Sequence, residues 1–138
     1  MPLLGVSRHV VVADTDREAF EIAQRGYAVW HASFVDLWRK RGTIPTRLKF
    51  PESFSDAVSA GYCIAGSPKT VQDAVMSDIK ATGASYFLCR VAFGDLTFRE
   101  ALQSATLFAN RVMPGFGGET SNHARGAQWS IETEAQFT

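Results

Sequence analysis

Gly61-Tyr62-Cys63-Ile64-Ala65-Gly66-Ser67-Pro68 opens a stretch that runs to Val112-Met113-Pro114. Tyr62–Ala65 is a short apolar run of strand length. Gly66 permits a tight turn, Ser67 is a favoured N-cap, and Pro68 suits a first helical position. Val71, Val75, Met76 and Ile79 then recur on one helical face until Gly83, a C-terminal stop. A second strand covers Ser85–Val91. Thr97 and Glu100 make a capping box. Ala101, Leu102, Ala105, Phe108, Ala109 and Val112 line the expected inner face of a last helix, which Pro114 closes. A strand followed by a helix, twice over, predicts parallel strands with the helices packed on one face.

Towards the N-terminus the same pattern recurs. His9-Val10-Val11-Val12-Ala13 is a continuous β-branched run, the signature of a strand buried on both faces. Thr15 and Glu18 have capping-box spacing, and Asp16 and Glu18 suit the positive end of a helix. Phe20, Ala23, Tyr27, Trp30, Phe34 and Leu37 follow at alternating steps of three and four, one helical face. The helix should stop near Gly42. Arg39-Lys40-Arg41 at its end complements the helix dipole. His31 lies beside the stripe and reads as a structural histidine.

Between the first unit and the second, Thr43–Phe50 carries no period and reads as a loop, with Pro45 in it and Pro51 beyond. Phe54, Ala57 and Val58 suggest a short helix ending at Gly61. The connection is long for an α/β unit and reads either as a functional lid or as an insertion. Residues 1–114 therefore form one domain. Gly115–Thr138 is rich in Gly, Ser, Thr, Asn and Gln and predicts a flexible tail. Trp129 in the tail is a candidate for docking back on the domain.

Composition narrows the function classes. Lys+Arg 14 against Asp+Glu 14 leaves no net charge, and no basic run is dense enough for a nucleic-acid surface. No apolar run reaches the ~20 residues of a membrane span. Met1–Gly5 lacks a signal-peptide core, so a cytoplasmic protein is expected. Cys63 and Cys89 both fall in strands and predict buried free thiols in a reducing compartment. Two cysteines without a nearby histidine pair give no metal-ligand set, so no metal is expected.

Ligands of parallel α/β folds bind at the carboxyl ends of the strands. Three patches fall on that edge: Asp14-Thr15-Asp16, Gly66-Ser67-Pro68 and Arg90–Asp95. Ser67 at a helix start either holds a phosphate through backbone N–H groups or simply caps the helix. Arg90 at the end of an apolar strand must find an anion or water. Its partner is a ligand phosphate, a substrate carboxylate or Asp95. Asp14 and Asp16 read as capping residues rather than an acid–base pair. No nucleophile–base set, Walker motif or dinucleotide fingerprint is present.

Val11–Asp16 opening a helix, the Ala65-Gly66-Ser67-Pro68 turn before Val71, Phe87-Leu88-Cys89-Arg90 leading to Gly94-Asp95-Leu96, and the closing Val112-Met113-Pro114 together resemble the late strand–helix units of luciferase-like flavin-dependent monooxygenases. The resemblance spans about residues 8–114. It implies strands six to eight of a (β/α)8 barrel, and hence a partial barrel of three parallel strand–helix units, because a full barrel needs about 250 residues and 138 are present. It implies oxidation of an organic substrate by reduced flavin and oxygen, FMN as cofactor, and a flavin reductase as a partner. The N-terminal half that supplies most flavin contacts and the catalytic groups in that family has no counterpart here, so no catalytic residue carries over. Ser67, Arg90 and Asp95 carry over only as cofactor-binding positions at the pocket edge. The chain is expected to be a C-terminal fragment or subunit of such an enzyme, inactive alone. The alternative is a non-catalytic α/β module that self-associates through open sheet edges. Either way a homo-oligomer or a complementary barrel chain is expected, with Tyr62, Ile64, Phe87 and Leu88 as contact surface. The strand order should follow the sequence, with helices on the outer face.

Overall fold

The computed structural model describes residues 3–43 and 50–116. Three parallel strands alternate with helices: β1 (Gly5–Val12), α1 (Asp16–Lys40), α2 (Phe54–Ser59), β2 (Cys63–Gly66), α3 (Pro68–Thr82), β3 (Tyr86–Arg90) and α4 (Phe98–Leu107). A widened π-type turn (Phe108–Val112) and a 3-10 turn (Met113–Phe116) extend α4. The α/β class and the three parallel units agree with the reading of the sequence. The loop centre (44–49) and most of the tail, including Trp129, lie outside the described residues.

Strand order departs from expectation. The sheet runs β2-β1-β3, with β1 in the middle. His9 is in register with Cys63 on one side and with Arg90 on the other. The helices lie on both faces rather than one. Alternate residues of a strand point to opposite faces, and β1 divides its side chains accordingly. Val11 and Ala13 pack with Ala19, Ala23 and Tyr27 of α1 and with Phe54 and Ala57 of α2. Val10 and Val12 pack with Val71 and Val75 of α3 and with Val112. The two departures have one cause. The chain leaves β1 for one side and then crosses back over β1 to reach β3. Two crossovers of the same hand that travel in opposite directions must lie on opposite faces. A strand covered on both faces explains why Val10, Val11 and Val12 are all essentially sealed from solvent. Each contributes about 1.5–3 kcal/mol of burial.

Strand β1 begins four residues earlier than its apolar run. Gly5-Val6-Ser7-Arg8 pairs with β3, and Arg8 is anchored by Asp78 of α3 at 2.9 Å. The capping residues behave as their chemistry demands. Thr15 accepts from the Glu18 N–H, Ser53 from the Asp56 N–H, and Thr97 and Glu100 complete a reciprocal box. Gly83 ends α3 in the left-handed conformation at φ 68°. On α1, Ala23 and Tyr27 are buried, but Leu37 is 64% exposed. The helix outruns the core that its stripe predicted.

Candidate functional site at the carboxyl ends of the strands

Two of the three patches meet, those of Asp16 and Ser67, whereas Arg90 stands level with His9 further back along the sheet. Asp16, first residue of α1, reaches across to β2's exit. Its Oδ1 accepts the Ser67 N–H at 2.7 Å. The Ser67 and Thr70 hydroxyls lie 3.2 Å apart. The bond from the Ser67 backbone, with help from Thr70, holds the Asp16 carboxyl below its usual range. The start of α3 therefore already carries an anion, and that anion belongs to the chain. The Ser67 side chain itself caps nothing.

Arg90 and Asp95 do not pair. Asp95 accepts from Arg25 Nε of α1 at 3.3 Å, and Glu100 takes the Nη2 of the same guanidinium at 2.5 Å. Arg25 thus ties the β3–α4 loop to α1. The loop also comes close to α1 at Gly94, whose φ of 60° favours glycine and where a Cβ would strike the Gly26 backbone. Arg90 is exposed and has no ion pair or hydrogen bond among the described residues.

A row of side chains crosses the sheet on the α1 side: Cys63, His9 and Arg90, one from each strand. His9 is only 2% exposed. Its ring meets Trp30 and Phe93 at centroid distances of 4.5 Å, and its Nδ1 has no hydrogen-bond partner among the described residues. Burial, then the Arg90 charge, lowers its pKa to about 4. The imidazole is neutral at pH 7. Burial pushes the Cys63 thiol up to about 12 and the Cys89 thiol up to about 11. Both sulfurs are free thiols and stay protonated near neutrality, so neither is a nucleophile.

At the exit of β1 the helix α4 seals the sheet. Beyond Arg90 the strand β3 no longer pairs with β1. The buried Ser104 hydroxyl replaces it, accepting the Val12 N–H at 3.0 Å and donating to the Val12 carbonyl at 3.3 Å. A cavity of about 230 Å³ lined by Phe34, Leu37, Trp38 and Arg41 lies instead beside the last turns of α1. Among the described residues there is no cluster of three or more metal-ligating side chains, and no helix is long and apolar enough to cross a membrane.

Sequence reasoning placed Ser67, Arg90 and Asp95 on this edge and missed His9, Arg25 and Ser104. The signal for His9 was a lone imidazole beside a valine run sealed on both faces. Ile64, expected as contact surface, is 7% exposed and belongs to the core.

No family model matches the chain. A curated relative, designated "Uncharacterized protein y4wF" from Sinorhizobium fredii (strain NBRC 101917 / NGR234), is 29% identical over 114 residues, covering 83% of this chain and 33% of its own length. Among solved structures, the monooxygenase RslO1 from Streptomyces bottropensis aligns at a TM-score of 0.55 with 18% identity, over 82% of this chain and 31% of that one. The oxygenating constituent of 3,6-diketocamphane monooxygenase from the CAM plasmid of Pseudomonas putida, a type II Baeyer–Villiger enzyme solved in complex with FMN, aligns at 0.56 with 22% identity. That match covers 80% of this chain and 32% of that one. The chain thus has the fold of part of a bacterial monooxygenase and spans about a third of the length of the proteins it matches.

Proposed function

We propose that this chain supplies the C-terminal strand–helix units of a luciferase-like flavin-dependent monooxygenase, and acts only together with the rest of that fold. The observation that carries the reading is the structural match to an FMN-bearing monooxygenase over 80% of this chain. The ordered turn and strand motifs quoted above support it from the sequence side.

The described residues do not fit FMN as a complete set. The α3 terminus is filled by Asp16, Asp95 is committed to Arg25, and α4 closes the exit of β1. No chemical step is assigned to this chain on that basis. Arg90 alone among the three candidates offers an unengaged charge, and a fixed guanidinium attracts phosphate. The expected contribution of this chain is therefore one phosphate contact, with the ring held elsewhere. Fluorescence quenching of FMN and of riboflavin by the chain and by Arg90→Ala checks this. Arg90→Ala should weaken FMN binding more than riboflavin binding, since only FMN bears the phosphate. Equal losses for both ligands would rule the contact out.

A second reading, a non-catalytic module that self-associates, is favoured by the surface of β3. Tyr86 is 47% and Leu88 53% exposed.

A further inference from the structure

Strand β3 ends the sheet. β1 pairs with one of its edges, and no described strand pairs with the other. The direction of its backbone groups follows from the ladder. The His9 and Ala13 N–H groups donate towards β2, so the even-numbered residues of β1 point their backbone groups at β3. The Ser85 and Tyr86 N–H groups share the Leu4 carbonyl at 2.7 and 3.4 Å, and the register of Val6 with Phe87 and of Arg8 with Cys89 sets Tyr86, Leu88 and Arg90 to bond inward. Phe87 and Cys89 therefore hold their N–H and C=O groups outward. Their side chains turn to the α3 side and pack against its core cluster. Tyr86, Leu88 and Arg90 turn their side chains to the opposite face and are exposed.

We propose that this edge pairs with the same edge of a second copy of the chain, antiparallel about a twofold axis at Leu88, joining two three-stranded sheets into one. Leu88 is the central residue of the five-residue strand. Centring the pair there sets Phe87 opposite the partner's Cys89, and Cys89 opposite the partner's Phe87. These are the outward-bonding residues, so each pair exchanges both of its hydrogen bonds. Leu88 then meets the partner's Leu88, and Tyr86 meets the partner's Arg90, in the closer class of antiparallel pair with Cα atoms about 4.5 Å apart. Arg90, which lacks an ion pair among the described residues, gains an aromatic face once the Tyr86 ring swings out from its place over Gly5. Tyr86 gains a cation. The strand is self-complementary, as a twofold interface requires. A pair centred on Phe87 sets Cys89 against the partner's Ser85, whose N–H is already held by the Leu4 carbonyl at 2.7 Å, and sets Arg90 against the partner's Ala84, so it loses a hydrogen bond and both contacts. The pairing involves no flavin and stands whether or not the chain binds one.

The edge is short, so the dimer should dissociate on dilution. Sedimentation velocity across a concentration series should move the chain between its 15.1 kDa mass and twice that value. Leu88→Lys puts a charge on the twofold axis and should hold the chain at the monomer mass. Leu88→Cys brings two thiols within the Cα range of a disulfide and should crosslink fully under mild oxidation. Tyr86→Cys faces Arg90 rather than another cysteine and should stay uncrosslinked. A wild-type monomer at every concentration, or equal crosslinking of the two cysteine variants, overturns the proposal. The cysteine pair decides the matter if Leu88→Lys does not fold.

Discussion

His9 shows how a single side chain is set by its surroundings. An imidazole between Trp30 and Phe93 gains edge contacts with two rings but loses water, and the Arg90 guanidinium in the next strand opposes a second positive charge. Its folded pKa, about 4, lies below the ordinary 6.5. The unfolded chain therefore binds more protons between these values, and stability rises with pH across that window. The contribution is fully present above pH 6.5 and is lost as pH falls towards 4, with an upper bound of about 3 kcal/mol. His9→Phe keeps an aromatic ring and removes the titration. The urea midpoint of the wild type should fall relative to that of His9→Phe as pH drops from 7 to 4. A constant offset over that range would show that the imidazole titrates normally. Cys63, the neighbour on the other side, stays protonated throughout and adds no pH dependence in this window.

At the scale of elements, α4 is held by one hydroxyl more than by its apolar stripe. The reading of its inner face gave Leu102 and Ala105 inward positions, yet Leu102 is 40% exposed and Ser104 is sealed. The face is rotated because Ser104 must reach the Val12 N–H and C=O where β3 has diverged. The π-type turn then widens the helix and lets Val112 reach the core of α3. Ser104→Ala strands a buried donor and a buried acceptor, and should cost about 1–3 kcal/mol in chemical unfolding. A loss below the low end of that range would mean that water replaces the hydroxyl at no cost. The elements themselves were legible in the sequence. Pro68 at a first helical position, Thr97 with Glu100, and Gly83 marked helix ends because such end signals are local chemistry. The start of β1 was hidden by Ser7 and Arg8, whose place in the strand depends on β3 and Asp78. The partners of Asp16 and Asp95 were equally hidden. A carboxylate near a helix start reads as that helix's own cap, and only the three-dimensional crossing assigns it to another.

For the whole molecule, the β2-β1-β3 order was the feature furthest from the sequence, since parallel units set the number of crossovers and not their direction. Flavin chemistry needs a dry, closed pocket around the ring, and the Ser104 hydroxyl of α4 occupies the exit of β1 on which such a pocket would open. The isolated 138-residue chain, given reduced FMN, oxygen and a substrate panel, is expected to show no oxygen-dependent product. Turnover under those conditions would overturn the view that it acts only with the rest of the fold. The central place of β1 carries a consequence for synthesis on the ribosome. Gly5 pairs with Tyr86, roughly 80 residues later in the chain. At ~5–20 residues per second, one edge of β1 waits roughly 4–16 s for its partner to be made. The valine run stays unprotected for that interval, whatever β2 has already covered. Contacts this distant also slow folding from the denatured chain. The nascent polypeptide is therefore most exposed to aggregation, and most in need of a chaperone, just before β3 emerges.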